Sequence, residues 1–288
     1  MEWDVEKYEK FSGMQTSIGL KNIAKLSPRA GEDVLDIGCG RGNLTAAIAK
    51  KVGAGSVVGI DPDASMIEAA KRHLKESGVS NVSLINLGVL DIDWEERFDA
   101  AYSNIVLHWI RDLQDALDRI FATLKDYGRI SFAMLYQNTQ PEEESDLVKI
   151  QQFEVDQFQF FVERGHHLEF LTQDEYDEYQ QRVDPNLSYA VFPVQKIEEL
   201  LKNAGFGRIR IETEFVPNTF DDADGYFRYR QSNMWQYFFS YFPPAVREPI
   251  RDRLIELILD DWNKVPVENR EMPIREEWPV AYVTAQRR

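Results

Sequence analysis

The feature that most restricts how this chain can fold is a short apolar run, Val34-Leu35-Asp36-Ile37, that passes straight into three glycines at alternate positions, Gly38, Gly40 and Gly42. Beyond the glycines, Leu44, Ala47 and Ile48 recur at helical spacing. A strand, a glycine turn and a helix in that order open a parallel βαβ unit. Glycine is needed where the backbone turns sharply and must let a ligand come close. The loop therefore predicts both an α/β fold and a binding site at the carboxyl end of its first strand.

The pattern continues downstream. Ser56 to Ile60 reads as a second strand, and Met66, Ile67, Ala70 and Leu74 line one face of the helix after it, which stops at Gly78. Ser65 and Glu68 stand at capping-box spacing at its start. Val82 to Leu87 and Phe98 to Ser103 are predicted strands, followed by an amphipathic helix carrying Leu113, Ala116, Leu117, Ile120, Phe121 and Leu124. Arg129 to Leu135 gives a fifth strand, Ile197 to Ala204 a helix ended by Gly205, Arg208 to Phe215 a sixth strand and Val280 to Ala285 a seventh. The predicted architecture is a Rossmann-like, seven-stranded, mostly parallel sheet with helices on both faces. Its core comprises residues 1–136, 191–216 and 279–288, with residues 1–27 as an N-terminal segment ahead of the sheet. Residues 137–190 and 217–278 break the alternation and are predicted to form a mainly helical, aromatic cap.

At 288 residues the chain accommodates such a core plus a cap, since domains run to about 150 residues. Acidic residues outnumber basic ones by 49 to 33, a net charge of −16, and that surface repels nucleic-acid phosphates and anionic lipid. No apolar run approaches the ~20 residues of a membrane span. The charged, aromatic start MEWDVEKYEKFSG lacks the apolar stretch of a secretory signal, so a cytoplasmic location is expected. Cys39 is the single cysteine, which excludes an internal disulfide and a cysteine-based zinc cluster. His166 and His167 are adjacent, so on a helix they point in different directions, and no CxxC or HExxH accompanies them; no metal is expected.

Acidic residues recur at the strand ends. Asp36 lies two residues before the first glycine, where it can organise a polar, cationic end of a ligand. Asp61 ends the second strand, placed to accept from the two hydroxyls of a ribose. Asp91, in Leu90-Asp91-Ile92, follows the third strand, where a carboxylate can accept from an adenine amine. A sulfonium nucleoside carrying an ammonium, S-adenosyl-L-methionine, satisfies all three. A nicotinamide dinucleotide is the rival, but its fingerprint wants glycine at position 43, which is Asn43, and its pyrophosphate is poorly served by an acid at position 36. The candidate cofactor residues are Asp36, Gly38, Cys39, Gly40, Asp61, Pro62, Met66, Leu90, Asp91 and Asn104, with Tyr8 from the N-terminal segment.

VLDIGCGRGNLT, VVGIDPDASMIEAA and FDAAYSNIVLHWI, in this order, resemble the cofactor motifs of class I S-adenosylmethionine-dependent methyltransferases over roughly residues 30–136. Ser103 to Trp109 is similar to the S-N-x-x-L-[HQ]-W stretch of a branch that includes trans-aconitate, juvenile hormone acid and malonyl-carrier-protein methyltransferases. Tyr8, Phe11 and Gln15 resemble the N-terminal segment of that branch, which closes over cofactor and substrate. The resemblance implies methylation of a carboxylate on a small acid. His108 matches the hormone-acid enzymes, where the other two tend to have glutamine, and the cap resembles none of the three.

Methyl transfer from a sulfonium is an in-line displacement, so the protein's main task is to hold the nucleophile close to and collinear with the methyl group. A carboxylate is already ionised, whereas a hydroxyl or amine needs a base, for which histidine is best matched. His108 can therefore donate to a carboxylate, act as a base, or simply fill a buried position beside Trp109. Gln15 is a second candidate donor, and Trp109 a candidate wall of the acceptor pocket. In the cap, Arg228 and Arg230 lie among aromatics and could pair with an anionic substrate, although solvated arginines on a helix face fit the pattern as well. The alternatives are a methyltransferase acting on nitrogen, carbon, sulfur or a phenolic oxygen with His108 as base, and a non-catalytic cofactor-binding module.

Overall fold

The computed structural model describes residues 13–137, 165–182, 191–222, 225–226, 229, 242–264 and 274–288. The chain divides into a larger unit of residues 2–139, 189–215 and 279–288, and a smaller one of residues 140–188 and 216–278 together with Met1.

Seven strands form one sheet: β1 (Val34–Ile37), β2 (Val57–Asp61), β3 (Val82–Asn86), β4 (Phe98–Asn104), β5 (Leu124–Leu135), β6 (Gly207–Phe220) and β7 (Ile274–Gln286). Their order is β3-β2-β1-β4-β5-β7-β6. β1 pairs in parallel with β2 and β4, β2 with β3, and β4 with β5, whereas β7 runs antiparallel to β5. The order reverses between β1 and β4, and ligands of open α/β sheets bind at the carboxyl ends of strands at such a reversal. Ile37 and Ser103 are register partners there, so the glycine loop and Asn104 leave the sheet side by side.

Helices of the larger unit are α1 (Gly13–Leu26), α2 (Asn43–Val52), α3 (Ala64–Glu76), α4 (Leu113–Thr123) and α6 (Val194–Asn203); α5 (Gln173–Arg182) and α7 (Pro244–Lys264) belong to the smaller unit. Alternation along the strands sends side chains to opposite faces. Leu35, Ile37, Val58, Ile60 and Ala101 pack with Leu113, Leu117 and Ile120 of α4 and Ile197 and Leu201 of α6. Val34, Val57, Ala100 and Tyr102 face the other way, against Ile23 and Leu26 of α1 and Ile48 and Val52 of α2. Residues 13–26 of the expected N-terminal segment are thus part of the sheet's own core.

Three local expectations are corrected. The capping residue of α3 is Asp63, not Ser65. One carboxylate oxygen of Asp63 accepts from the Ser65 amide (2.7 Å), the Met66 amide (3.3 Å) and the Ser65 hydroxyl (2.6 Å). A charged acceptor two residues earlier outcompetes the serine and starts the helix at Ala64. β5 begins at Leu124 rather than Arg129, because an irregularity in its pairing between Phe98 and Ala100 accommodates the turn at Tyr127, which has φ 61°. β6 and β7 run on to Phe220 and back to Ile274.

In the smaller unit the described core is aromatic: Phe220 stacks near Tyr226 and Tyr229, with ring centroids 5.2 and 4.9 Å apart, and Tyr229 lies 6.2 Å from Trp278. Phe242, Ile250 and Leu254 are also buried. Phe153, Phe158, Phe160 and Phe161 lie outside the described residues. No described helix is long and apolar enough to cross a membrane.

The cap assignment has a direct consequence. Asp63→Ala should lower stability by about 1–2 kcal/mol in urea unfolding, and Glu68→Ala, which the capping-box reading would make important, should leave it within ~0.5 kcal/mol.

Candidate active site

The glycine loop is held by backbone bonds before any side chain acts. The amides of Gly38 and Cys39 both donate to the Ile60 carbonyl, at 2.8 and 2.9 Å, which ends β1 against β2. Gly38, Gly40 and Gly42 then take φ of 69°, 51° and 80°, the left-handed region that disfavours other residues. They differ in surroundings. A Cβ on Gly38 would fall 2.4 Å from a Val106 methyl, whereas one on Gly40 would meet nothing within 4 Å. Gly38 is glycine for packing and conformation, and Gly40 leaves open space in front of the loop.

Acidic groups stand at the two strand ends beside the loop. Asp36 is 2% exposed, and its carboxylate accepts from Thr45 Oγ1 on α2 at 2.6 Å. Burial, reinforced by the nearby charge of Asp61 and opposed by the Thr45 hydrogen bond, pushes its pKa up to about 7. Asp61 accepts from the amides of Gly40 (3.0 Å) and Asp63 (2.9 Å), one on each oxygen. Burial outweighs these bonds and raises its pKa as well. Each oxygen keeps a second lone pair for a ligand hydroxyl. Cys39 is buried, and its thiol is pushed well up by burial, which makes it a packing group rather than a nucleophile.

Along the rim, Asp91 and Leu90 are exposed in a short 3₁₀ turn over Val89–Asp91. A Cβ on Gly88 would sit 2.9 Å from Asp91 Oδ2 and 4.0 Å from Pro62 Cβ, so Pro62 and Asp91 are neighbours across that glycine. Met66 is buried in α3.

From β4, Asn104 donates through Nδ2 to the Gln15 carbonyl at 3.0 Å, joining two of the predicted residues. Its Oδ1 is buried and has no hydrogen-bond partner among the described residues. Gln15 itself is buried. His108, in the 3₁₀ turn Leu107–Trp109, is 1% exposed. Its Nδ1 accepts a long hydrogen bond of 3.5 Å from the Leu135 amide of β5, which places the ring proton on Nε2. Burial drives its pKa down to about 3, so the ring is neutral. Trp109, 37% exposed, has its ring 5.5 Å from that of His108. Tyr8, Arg228 and Arg230 lie outside the described residues.

Two participants carry roles that the sequence motifs do not assign. Thr45 ends the stretch VLDIGCGRGNLT and Ser103 begins SNIVLHW, but the partner of each hydroxyl, the Asp36 carboxylate and the Ile37 carbonyl, appears only in the fold.

The donor–acceptor character of the site tests the cofactor. The strand ends around the loop carry acceptors: two carboxylates, of Asp36 and Asp61, whose ionisation burial opposes, and the buried amide oxygen of Asn104. They suit a cationic ligand with hydroxyls, and S-adenosylmethionine fits them. A pyrophosphate would bring further negative charge to Asp36 and Asp61.

Comparison with known proteins agrees. Residues 34–128 match the family described as "Methyltransferase domain". The chain is 29% identical over 136 residues to trans-aconitate 2-methyltransferase of Rhizobium etli, covering 46% of this chain and 50% of that one. It is 29% identical over 129 residues to malonyl-[acyl-carrier protein] O-methyltransferase of Priestia megaterium, covering 44% and 46%. The chain thus spans about half the length of the curated relatives it matches. Among solved structures, YcgJ of Bacillus subtilis shares the fold, with a TM-score of 0.60 at 18% identity over 95% of this chain and 98% of that one. The glycine loop, the strand order and these matches agree: the chain carries a class I S-adenosylmethionine-dependent methyltransferase domain.

Proposed function

We propose that this protein methylates a carboxylate oxygen of a small organic acid. The observation that carries the reading is the state of His108. Its Nδ1 is taken by the Leu135 amide, its proton stands on Nε2, and a pKa of about 3 leaves it neutral. Such a ring is a hydrogen-bond donor and a poor base. A donor suits an acceptor that is already an anion; a hydroxyl or amine would need its proton removed. The matched relatives are named for trans-aconitate and for malonyl-[acyl-carrier protein] O-methylation, which supports the same acceptor class.

In this reading Asp36 and Asn104 Oδ1 hold the cationic amino-acid end of the cofactor, Asp61 the ribose hydroxyls and Asp91 the adenine. Leu90 and Trp109, both partly exposed, wall the pocket, and Gln15 helps His108 orient the acceptor. S-adenosylmethionine, when bound, supplies an activated methyl group on a sulfonium. The protein's own work is placement and exclusion of water. Arg228 and Arg230 are candidate partners for an acceptor anion.

The two glycines should separate fold from binding. Gly40→Ala should fold, at a cost of ~1 kcal/mol for its left-handed conformation, yet weaken S-adenosylmethionine binding in calorimetry by more than about tenfold. Gly38→Ala should be destabilised far more, because Val106 must move.

Asp36 gives a pH signature. Its folded pKa lies above the unfolded value, so the folded state holds the extra proton. Stability from this group is full below pH 4 and is lost as pH rises through about 7. Asp36→Asn should therefore stabilise the cofactor-free protein at pH 8 by on the order of 3 kcal/mol, with the gain vanishing toward pH 4. The same variant should lose cofactor affinity; a uniform stability change across pH would contradict the assignment.

For the reaction, a screen of small carboxylic acids with labelled methyl donor should yield a product that mild alkali saponifies. With S-adenosylmethionine saturating, so that Asp36 is ionised in the complex, the rate should be flat from about pH 6 to 8. His108→Gln, which keeps a donor near Nε2, should retain activity within ~10-fold, and His108→Ala should lose about 100-fold. An alkali-stable product, or a rate at saturating S-adenosylmethionine that falls tenfold per pH unit below pH 7, would instead favour a nitrogen or phenolic acceptor.

A further inference from the structure

We propose that Asn22, set back from the loop in the middle of α1, is a positioning residue that fixes the spacing between the glycine loop and Asn104. The proposal rests on the cofactor reading of that loop. Asn22, Ser103 and Ser131 are each 0% exposed and form one hydrogen-bonded chain. Asn22 Nδ2 donates to the Ser103 carbonyl at 2.9 Å, and its Oδ1 accepts from Ser131 Oγ at 2.6 Å. Ser103 Oγ in turn donates at 3.0 Å to the carbonyl of Ile37, the last residue before the glycines.

Ser103 is therefore tied on one side to α1 and on the other to the root of the loop. The next three residues of the chain transmit any displacement of it. Asn104 grips the Gln15 carbonyl, and Ile105, at φ 55°, donates to the Ala133 carbonyl at 2.7 Å. Val106 then rests against Gly38, filling the space a Cβ there would need. If Ser103 shifts, Asn104 moves relative to Gly38 and Val106 presses on it or withdraws. Just before it, Tyr102 donates its hydroxyl to the Gly19 carbonyl at 2.9 Å. Three consecutive residues of β4 thus hold three points along α1.

Packing alone does not explain Asn22. The buried face of α1 also carries Gln15, Gly19, Ile18, Ile23 and Leu26, and beside the last three an apolar residue would avoid the burial of an amide. A polar side chain with both ends satisfied fixes one arrangement where apolar contact would tolerate several. The two ends also differ in purpose. The Ser131 leg anchors Asn22 to β5, whereas the Ser103 leg reaches the binding site.

Two variants of the full-length chain separate these legs. S-adenosylmethionine is titrated by calorimetry well below each protein's unfolding transition, with thermal midpoints measured in parallel. Asn22→Leu should weaken binding ~10-fold or more. Ser131→Ala leaves Nδ2 on Ser103, so it should lower the midpoint yet keep the dissociation constant within about twofold of wild type. If Asn22→Leu does not fold, Asn22→Ser, which cannot reach both partners, makes the same comparison. Wild-type affinity in the Asn22 variant, or equal losses in both, overturns the positioning role. Failure of the wild-type chain to bind S-adenosylmethionine at all overturns the cofactor reading instead.

Discussion

The amides of Gly38 and Cys39 share one acceptor, the carbonyl of Ile60, and much of the structure depends on that convergence. Both donors would continue a ladder if β1 went on; directed at one oxygen they end it. The chain must then leave the sheet in a left-handed turn, which only glycine adopts without strain. It re-enters as α2, whose first turns carry Thr45 back to Asp36. The Gly40 amide is left pointing at Asp61, so the second strand's terminal carboxylate becomes part of the loop. One bifurcated backbone contact thereby brings residues 36, 40 and 61 together.

That assembly is electrostatically unfavourable on its own. Burial raises the pKa of both carboxylates, and the charge of Asp61 raises that of Asp36 further. A protein concerned with stability alone would place a lysine there or remove one acid. The arrangement is reasonable when the missing positive charge belongs to a ligand, since the strain is relieved on binding and contributes to affinity. His108 shows the reverse shift: its folded pKa is below the unfolded one, so its neutral burial is fully compatible with folding above pH 6.5 and opposes folding as the solution is acidified toward 3. Asp36 disfavours the alkaline side and His108 the acid side, so the empty domain should be most stable in mildly acidic solution.

The parts of this architecture that were legible in the sequence rest on periodicity and on glycine. The alternating runs between residues 33 and 136 place the first strands within a few residues because each must bury one or both faces. Gly38 and Gly40 are legible because no other residue fits their backbone. The cap of α3 is hidden in the sequence, since Ser65 and Glu68 match a common spacing while Asp63, a stronger acceptor, stands two residues earlier. Asn22 belongs to no motif, and the motifs that contain Thr45 and Ser103 assign no role to either hydroxyl. Their importance lies in which carbonyl or carboxylate they reach across the fold, and a lone hydroxyl or amide in a sequence carries no sign of its partner.

His108 occupies a middle case. The sequence offered donor, base and filler as readings and could not choose, because the choice depends on which ring nitrogen the backbone claims. The Leu135 amide makes that choice by taking Nδ1. Leu135 belongs to β5, and β5 is held to α1 through Ser131 and Asn22 and to β4 by its ladder. The tautomer of the candidate catalytic group and the spacing of the cofactor loop are therefore set by one set of strand ends. A methyl donor needs no activation beyond its own sulfonium, so the precision of those strand ends, more than any acid or base, is what this fold has to offer the reaction.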